Sequence, residues 1–215
     1  MRVLTEAVGV ALVLAVALWR STRERPEEYD WEGFRSSQRR AWLLPAGVLA
    51  WVIVVEDAGL ASLNHPPVVG FVWSATLAFA AIGVTGIAIG LVMRRAEHSI
   101  GPAMRALLEL PKSRAFVFIV STGVAEELVF RGFVLTRVAA LTGSEVAAVA
   151  VSVVGFAASR TAGLERAQIA QVVVLGAVIA AAFAYTGNLL AVIVARAGYD
   201  ALTTLSADPA DFPNE

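Results

Sequence analysis

The chain has 215 residues, a formal net charge of -1 and 58% hydrophobic residues. Soluble domains have about 45–50% apolar and about 25% charged residues, whereas only 16% of this chain is charged and its mean hydropathy is +0.71. The composition therefore excludes a single soluble core and indicates a membrane protein. The absence of cysteine excludes disulfides, thiolate metal sites and lipidated cysteines. The single lysine, Lys112, and the abundance of alanine, valine and glycine are typical of a GC-rich bacterial genome.

Long apolar runs divide the chain into predicted membrane-spanning helices, each of which needs about 20 mostly apolar residues. The first run carries Glu6, lacks an Ala-x-Ala cleavage site and is followed by arginines, so it predicts an uncleaved helix rather than a signal peptide. The sequence thus predicts an all-α, polytopic transmembrane helix bundle of about seven transmembrane helices. The predicted spans are 3–19, 41–60, 67–93, 116–141, 144–159, 167–186 and 188–206.

The connections between these spans alternate in charge. Arginines are concentrated in the 20–40 and 94–115 loops, and two more flank the 161–165 loop. The intervening connections at 64–67, 142–144 and 187–188 contain no lysine or arginine. The positive-inside rule then places the basic loops in the cytoplasm, the N-terminus outside and the C-terminus inside. We expect a multi-pass protein of the cell (plasma) membrane in contact with membrane lipid.

Two polar stretches flank the early spans. Residues 21–40 have mixed charge and predict a solvated loop or a short surface helix, and residues 103–110 predict an amphipathic turn at the interface that Pro111 ends. The chain shows no glycine-rich phosphate loop and no basic, aromatic surface, so nucleic acid is not an expected partner.

Two adjacent carboxylates lie inside the 116–141 span. Glu126 is about 15 Å from the predicted helix start, near the middle of a hydrocarbon core of about 30 Å. Unpaired charges there are costly. Arg131 follows Glu127 by four residues and shares its helix face. Glu126 projects about 100° away from Glu127 and therefore needs a partner on another helix.

The predicted helices offer three further charged residues for this purpose: Arg160, Arg196 and Asp200. With Glu126, Glu127 and Arg131 they form a set of three acids and three arginines. One interpretation is a neutral structural network that fixes helix packing. The other is a functional site, which is the usual reason for ionisable residues in a membrane. The sequence does not decide which glutamate pairs with which arginine.

Three segments resemble the motifs of the CPBP family of intramembrane proteases, which includes the CAAX prenyl endopeptidases. The family motifs are EExxxR, FxxxH and HxxxN or HxxxD. The corresponding segments are Glu126-Glu127-Leu-Val-Phe-Arg131-Gly132, Phe156-Ala-Ala-Ser-Arg160, and Gly187-Asn188-Leu189-Leu190 followed by Arg196-Ala-Gly-Tyr-Asp200. The resemblance covers about residues 112–206. It predicts N-terminal helices and a cytoplasmic loop over 1–100, a CPBP-like helical core over 101–206, and a short tail over 207–215.

The resemblance implies an intramembrane endopeptidase in which a glutamate acts as general base on a water and histidines hold zinc. In this chain Arg160 and Arg196 stand at the histidine positions, and a guanidinium has no lone pair for a metal. The two histidines of the chain, His65 and His98, fall in predicted loops and are expected to be solvated. We therefore predict no metal and no cofactor. Two positive charges instead replace the lost metal ligands and can neutralise the glutamates.

Three hypotheses follow. The first is a degenerate, metal-free homologue that binds a membrane-embedded or lipidated peptide, or another membrane partner. The second is an active endopeptidase that uses Glu126 or Glu127 as general base and Arg160 or Arg196 as oxyanion donor. The third is a small transporter or proton relay, against which the lack of an obvious repeat argues. The sequence is silent on the substrate and the oligomeric state.

Overall fold

The structure is a computed structural model that describes residues 2–22, 31–64, 68–95, 102–160 and 164–207. These residues form helices and no strand. A π-helical segment, Leu128–Leu135, joins the helices Lys112–Glu127 and Thr136–Thr142. Another, Trp51–Val55, extends the helix Trp31–Ala50, and a 3-10 turn covers Leu60–Leu63. The helices are α1 (Arg2–Ser21), α2 (Trp31–Ala50), α3 (Phe71–Arg95), α4 (Pro102–Glu109), α5 (Lys112–Glu127), α6 (Thr136–Thr142), α7 (Glu145–Arg160), α8 (Arg166–Thr186) and α9 (Leu189–Ser206).

Five helices in the described part of the chain are long and apolar enough to cross a membrane. They are Arg2–Ser21, Trp31–Val55, Phe71–Met93, Arg166–Thr186 and Leu189–Ser206. The prediction of a polytopic, all-α bundle is therefore confirmed, whereas the count of seven crossings stays a prediction. The remaining two predicted spans correspond to the continuous helix from α5 to α6 and to α7. His65, His98 and most of the predicted tail lie outside the described residues.

The second predicted span was wrong at both ends. We expected a helix over 41–60 after a solvated loop or a short surface helix, but one continuous helix begins at Trp31 and ends at Val55. The early start has a packing cause. Phe34 is buried and meets the Phe118 ring edge-on at 5.0 Å, and the Arg114 guanidinium lies 4.9 Å above the Trp31 ring. These contacts pack an aromatic face of the segment against α5. The mixed charge of the segment had indicated a solvated stretch instead.

Helix α2 and the continuous helix from α5 to α6 lie side by side and run in the same direction. Near their starts, Arg114 lies over the Trp31 ring, and further along Trp42 Nε1 donates a hydrogen bond to Ser121 Oγ at 2.6 Å. Beyond their π segments, Arg137 and Glu56 form an ion pair at 2.6 Å. The arginine-rich starts of both helices therefore lie at one end of the bundle, called here the basic end, as the alternating loop charges predict.

The π-helical segment Leu128–Leu135 forms the axis of the core. Every residue from Val129 to Leu135 is buried. Close packing around it depends on small residues: a Cβ at Gly132 would lie 2.8 Å from the Leu189 side chain, and one at Gly155 would lie 2.7 Å from Leu14. π segments occur often at functional sites, and this one follows directly after Glu126 and Glu127.

Candidate functional site

The paired glutamates are the last two residues of α5, immediately before the π segment. Glu127 is completely buried, and the Glu126 side chain is 14% exposed. Because consecutive residues of a helix point about 100° apart, the two carboxylates contact different sets of neighbours. Their surroundings therefore differ, although they are adjacent in sequence.

Glu126 is held by two arginines from other helices. The Arg160 guanidinium binds it in a bidentate manner, with Nε 2.6 Å from Oε1 and Nη2 2.8 Å from Oε2. Arg196 Nη2 also donates to Oε2, at 2.6 Å. Charge-assisted, bidentate pairs are among the strongest hydrogen bonds in proteins. Both oxygens of Glu126 thus accept from guanidinium groups.

Glu127 faces the dry side of the cluster. Arg196 Nη1 donates to its Oε1, and its Oε2 lies 3.3 Å from Arg131 Nε. Arg131 is itself fully buried, and its Nη2 donates to the Gly176 carbonyl at 2.9 Å. Glu127 Oε2 and Arg131 Nε do not complete a hydrogen bond within the described structure. Their contact is therefore mainly electrostatic.

Arg196 connects the whole cluster. Besides Glu126 and Glu127, it contacts Asp200 one helical turn later, with Nε 3.3 Å from Oδ2. Its side chain is only 5% exposed. One guanidinium thereby reaches three carboxylates, and the set of three acids and three arginines has no net charge. All six predicted site residues lie in one cluster, and the pairing that the sequence left open is Glu126 with Arg160 and Arg196, and Glu127 with Arg196 and Arg131.

One aromatic ring lies against all three arginines. The centroid of the Phe156 ring is 4.6 Å from Arg131 Cζ, 5.2 Å from Arg196 Cζ and 5.5 Å from Arg160 Cζ. A guanidinium over an aromatic face is attracted by the ring quadrupole. In the sequence, Phe156 was recognised only as the first residue of the FxxxH-like motif, without a structural role. The spacing of four residues between Phe156 and Arg160 could have revealed one of these contacts.

A second buried ion pair was missed. Arg137 Nη2 lies 2.6 Å from Glu56 Oε2, and the two side chains are only 4% and 2% exposed. Arg137 also donates to Ser62, through Nη1 to the backbone carbonyl at 2.8 Å and through Nη2 to Oγ at 2.9 Å. The pair fastens the segment after α2 to the start of α6. The position of Arg137 inside the predicted 116–141 span was the available signal.

A small cleft reaches the cluster beside Glu126. Its volume is about 50 Å³, and α1, α2, α5 and α7 contribute to its walls. Glu127 does not line it. The polar residues that line the cleft are Arg20, Thr122, Glu126 and Ser159.

The donors present do not fit zinc. The described part of the chain contains no group of three or more His, Cys, Asp or Glu side chains placed to hold a metal. Structural and catalytic zinc sites use three or four such ligands. At the two positions where the family has histidine, Arg160 and Arg196 instead direct N–H groups at the glutamates. The carboxylates are thus bound by cations that belong to the chain.

The comparisons with known proteins agree with the motif assignment. Residues 110–202, somewhat under half of the chain, match the family model of the type II CAAX prenyl endopeptidase Rce1-like proteins. This match supports membership in the CPBP family. The matched segment runs from the residue after α4 into α9 and contains all six residues of the cluster. No curated protein and no solved structure matches the chain. The match and the apolar helices together indicate a multi-pass, CAAX-protease-like membrane protein.

Proposed function

We propose that this protein is a degenerate, metal-free CPBP homologue that binds a membrane-embedded or lipidated peptide without hydrolysing it. The observation that carries the proposal is the ion pairing of both glutamates with the guanidinium groups of Arg131, Arg160 and Arg196. This arrangement brings the motif residues together but provides guanidinium groups where a metal would need ligands with lone pairs.

A general base must accept a proton from a water within hydrogen-bond reach. Glu127 is fully buried and Glu126 accepts three guanidinium hydrogen bonds. Both oxygens of Glu126 are thus already engaged, and Glu127 does not line the cleft. The geometry therefore argues against either glutamate as the general base.

The arginines also explain how the core stays folded without a metal. Two adjacent carboxylates in a low-dielectric interior need compensation, because an unpaired buried charge costs several kcal/mol. Arg196 and Arg160 supply it at the two motif positions. A bundle that no longer needs a metal to balance its charge can keep a cavity or surface for a membrane peptide.

The alternative, an active endopeptidase, has one observation in its favour. The cleft of about 50 Å³ beside Glu126 has room for water next to a carboxylate. In that mechanism Glu126 would act as base and Arg160 as oxyanion donor. Activity would then depend on Glu126 and would not respond to chelators.

The experiment compares binding with cleavage in reconstituted liposomes. The substrates are a prenylated CAAX peptide and an unmodified transmembrane peptide, with anisotropy reporting binding and mass spectrometry reporting cleavage. We expect saturable binding of at least one peptide and no cleavage. Cleavage that is lost in Glu126→Gln but unaffected by a chelator would favour the alternative. Absence of binding to both peptides would contradict the proposed function.

A further inference from the structure

The cleft beside Glu126 is lined by polar side chains from α1, α5 and α7, and one of them has no hydrogen-bond partner among the described residues. The Thr122 hydroxyl oxygen is buried and has no hydrogen-bond partner within the described structure. Thr122 precedes Glu126 by one helical turn, so both lie on the wall that α5 contributes. A buried hydroxyl left unpaired costs about 1–3 kcal/mol, and a bound water removes that cost.

The opposite wall supplies a second acceptor. Pro45 lies within α2 and has no backbone N–H, so it cannot donate to the carbonyl of Ala41 four residues earlier. Ala41 and Pro45 both line the cleft. The proline therefore leaves a carbonyl without its usual intrahelical donor where α2 faces Glu126.

On α7, Ser159 completes the polar lining. Its hydroxyl donates to the Phe156 carbonyl at 2.7 Å and so keeps lone pairs for an incoming donor. Thr122, Ala41, Glu126 and Ser159 all offer acceptors. The fixed donors of Arg160 are already directed at Glu126.

Charge and size limit what this cleft can take. A metal cation would meet the guanidinium of Arg20, which also lines the cleft, and would stand beside the arginines that already neutralise Glu126. An apolar chain would leave the Thr122 hydroxyl unpaired. Water pairs with it without adding charge, and a volume of about 50 Å³ is several times the roughly 10–15 Å³ that one water needs.

We infer that this cleft is a water-filled vestibule that opens at the basic end beside Arg20 and ends at Glu126. Its ligands are water and small uncharged hydrogen-bond donors. Glu126 is thereby the carboxylate of the pair that meets solvent, while Glu127 stays dry against Arg131. The inference does not depend on peptide binding, since it rests on the lining of the cleft alone.

The test uses the absence of cysteine in the natural chain. Thr122→Cys and Ser159→Cys each place one thiol on the cleft. The thiolate attacks the sulfenyl sulfur of a methanethiosulfonate reagent, which forms a mixed disulfide and releases methanesulfinate, and a thiol ionises readily only where water reaches it. The matched control is Ser152→Cys, because Ser152 lies on the same helix as Ser159 but is fully buried and donates to the Phe130 carbonyl.

A small, uncharged methanethiosulfonate reagent is added to inside-out vesicles and, separately, to intact cells. In each case a thiol confined to the opposite compartment, trapped in the vesicles or present as glutathione in the cells, consumes reagent that crosses the membrane, and labelling is followed by mass spectrometry. We expect Thr122→Cys and Ser159→Cys to react more than about tenfold faster than Ser152→Cys, because thiolate formation requires hydration. The reaction is expected only from the side of the basic end, which the loop charges place in the cytoplasm. Adding Ala41→Trp, which fills the cleft from α2, is expected to slow both reactions.

Labelling of both cleft positions no faster than Ser152→Cys, in protein that elutes as a folded species, would overturn the inference. Labelling from the opposite side only would overturn the direction of opening. Thr122→Cys and Ser159→Cys lie on different helices. If one variant misfolds, the labelling rate of the other still tests whether the cleft holds water. Neither labelling result depends on whether the protein binds or cleaves peptides. The vestibule and the proposed function can therefore fail independently.

Discussion

Arg196 of α9 binds Glu127 of α5 in the fully buried interior of the bundle, although the two residues are 69 positions apart in the chain. The same guanidinium extends to Glu126 at 2.6 Å. One side chain on α9 thereby links this last helix to both glutamates of α5.

Removal of Arg196 is expected to cost the most stability of any single change in the cluster. Arg196→Ala leaves Glu127 buried without its strongest partner, and breaking a buried pair typically costs about 3–5 kcal/mol. Thermal unfolding in detergent measures the loss. Arg160→Ala should cost less, because the Arg160 side chain is 37% exposed and Glu126 keeps Arg196.

The rescue of these variants tests the pairing itself. Glu127→Gln should recover stability in the Arg196→Ala background, and Glu126→Gln should do so in the Arg160→Ala background. Arg35→Ala is the control, since its contact with Glu32 is long and exposed at 3.5 Å, and we expect no measurable change. Strictly additive losses in both double variants would show that the arginines do not stabilise the glutamates.

The purified protein is expected to bind no stoichiometric zinc, because Arg160 and Arg196 direct donors, not lone pairs, at the carboxylates. Elemental analysis after dialysis against zinc measures this directly. The variant with both Arg160→His and Arg196→His should gain zinc uptake and lose stability as the apo form. About one zinc per wild-type chain that disappears in Glu127→Ala would contradict the metal-free site.

The ion pair between Glu56 and Arg137 is expected to stabilise the far end of the bundle independently of the glutamate cluster. Arg137→Ala should lower the unfolding temperature, since it strands a carboxylate that is 2% exposed. Combining it with Glu56→Gln should recover part of the loss. Ser62→Ala serves as the milder control, because the backbone carbonyl of Ser62 still accepts from Arg137. A double-mutant cycle with no coupling would refute the pair.

Gly176 is expected to tolerate no side chain. A Cβ there would lie 2.8 Å from Phe156 Cδ1, and the Phe156 ring is held by three guanidinium groups. Gly176→Ala should therefore destabilise the protein by about 1–3 kcal/mol, the usual range for overpacking. Gly83→Ala is the matched control within a helix, because nothing lies within 4 Å of its added Cβ. Equal unfolding temperatures for the two variants would contradict the packing described here.

The predicted topology places the basic end in the cytoplasm. A reporter fused after Arg40 or Arg114 should therefore be cytoplasmic, and one inserted at His65 should be outside. Alkaline phosphatase and green fluorescent protein fusions report the two sides. The parallel course of α2 and α5 requires the first two reporters to lie on the same side, so a split between them would contradict the fold and not only the orientation.

The sequence by itself determined the class of fold and the chemical inventory of the site. Long apolar runs leave a chain no alternative to helices in a membrane, since every backbone polar group must be paired within its own segment. The six charged residues of the cluster could be recognised in the sequence because each interrupts an apolar run. The resemblance to the family motifs grouped these residues into one candidate site.

Only the tertiary structure decided which charges meet. Helix periodicity fixes the face of a residue on its own helix, as it did for Glu127 and Arg131, but the rotation and crossing of separate helices depend on packing over their full lengths. For this reason the sequence could not predict the bidentate contact of Arg160 with Glu126. Nor could it predict that the Phe156 ring packs against three arginines. The same reason applies to α2, whose early start at Trp31 is stabilised by aromatic contacts with α5 and not by its own composition.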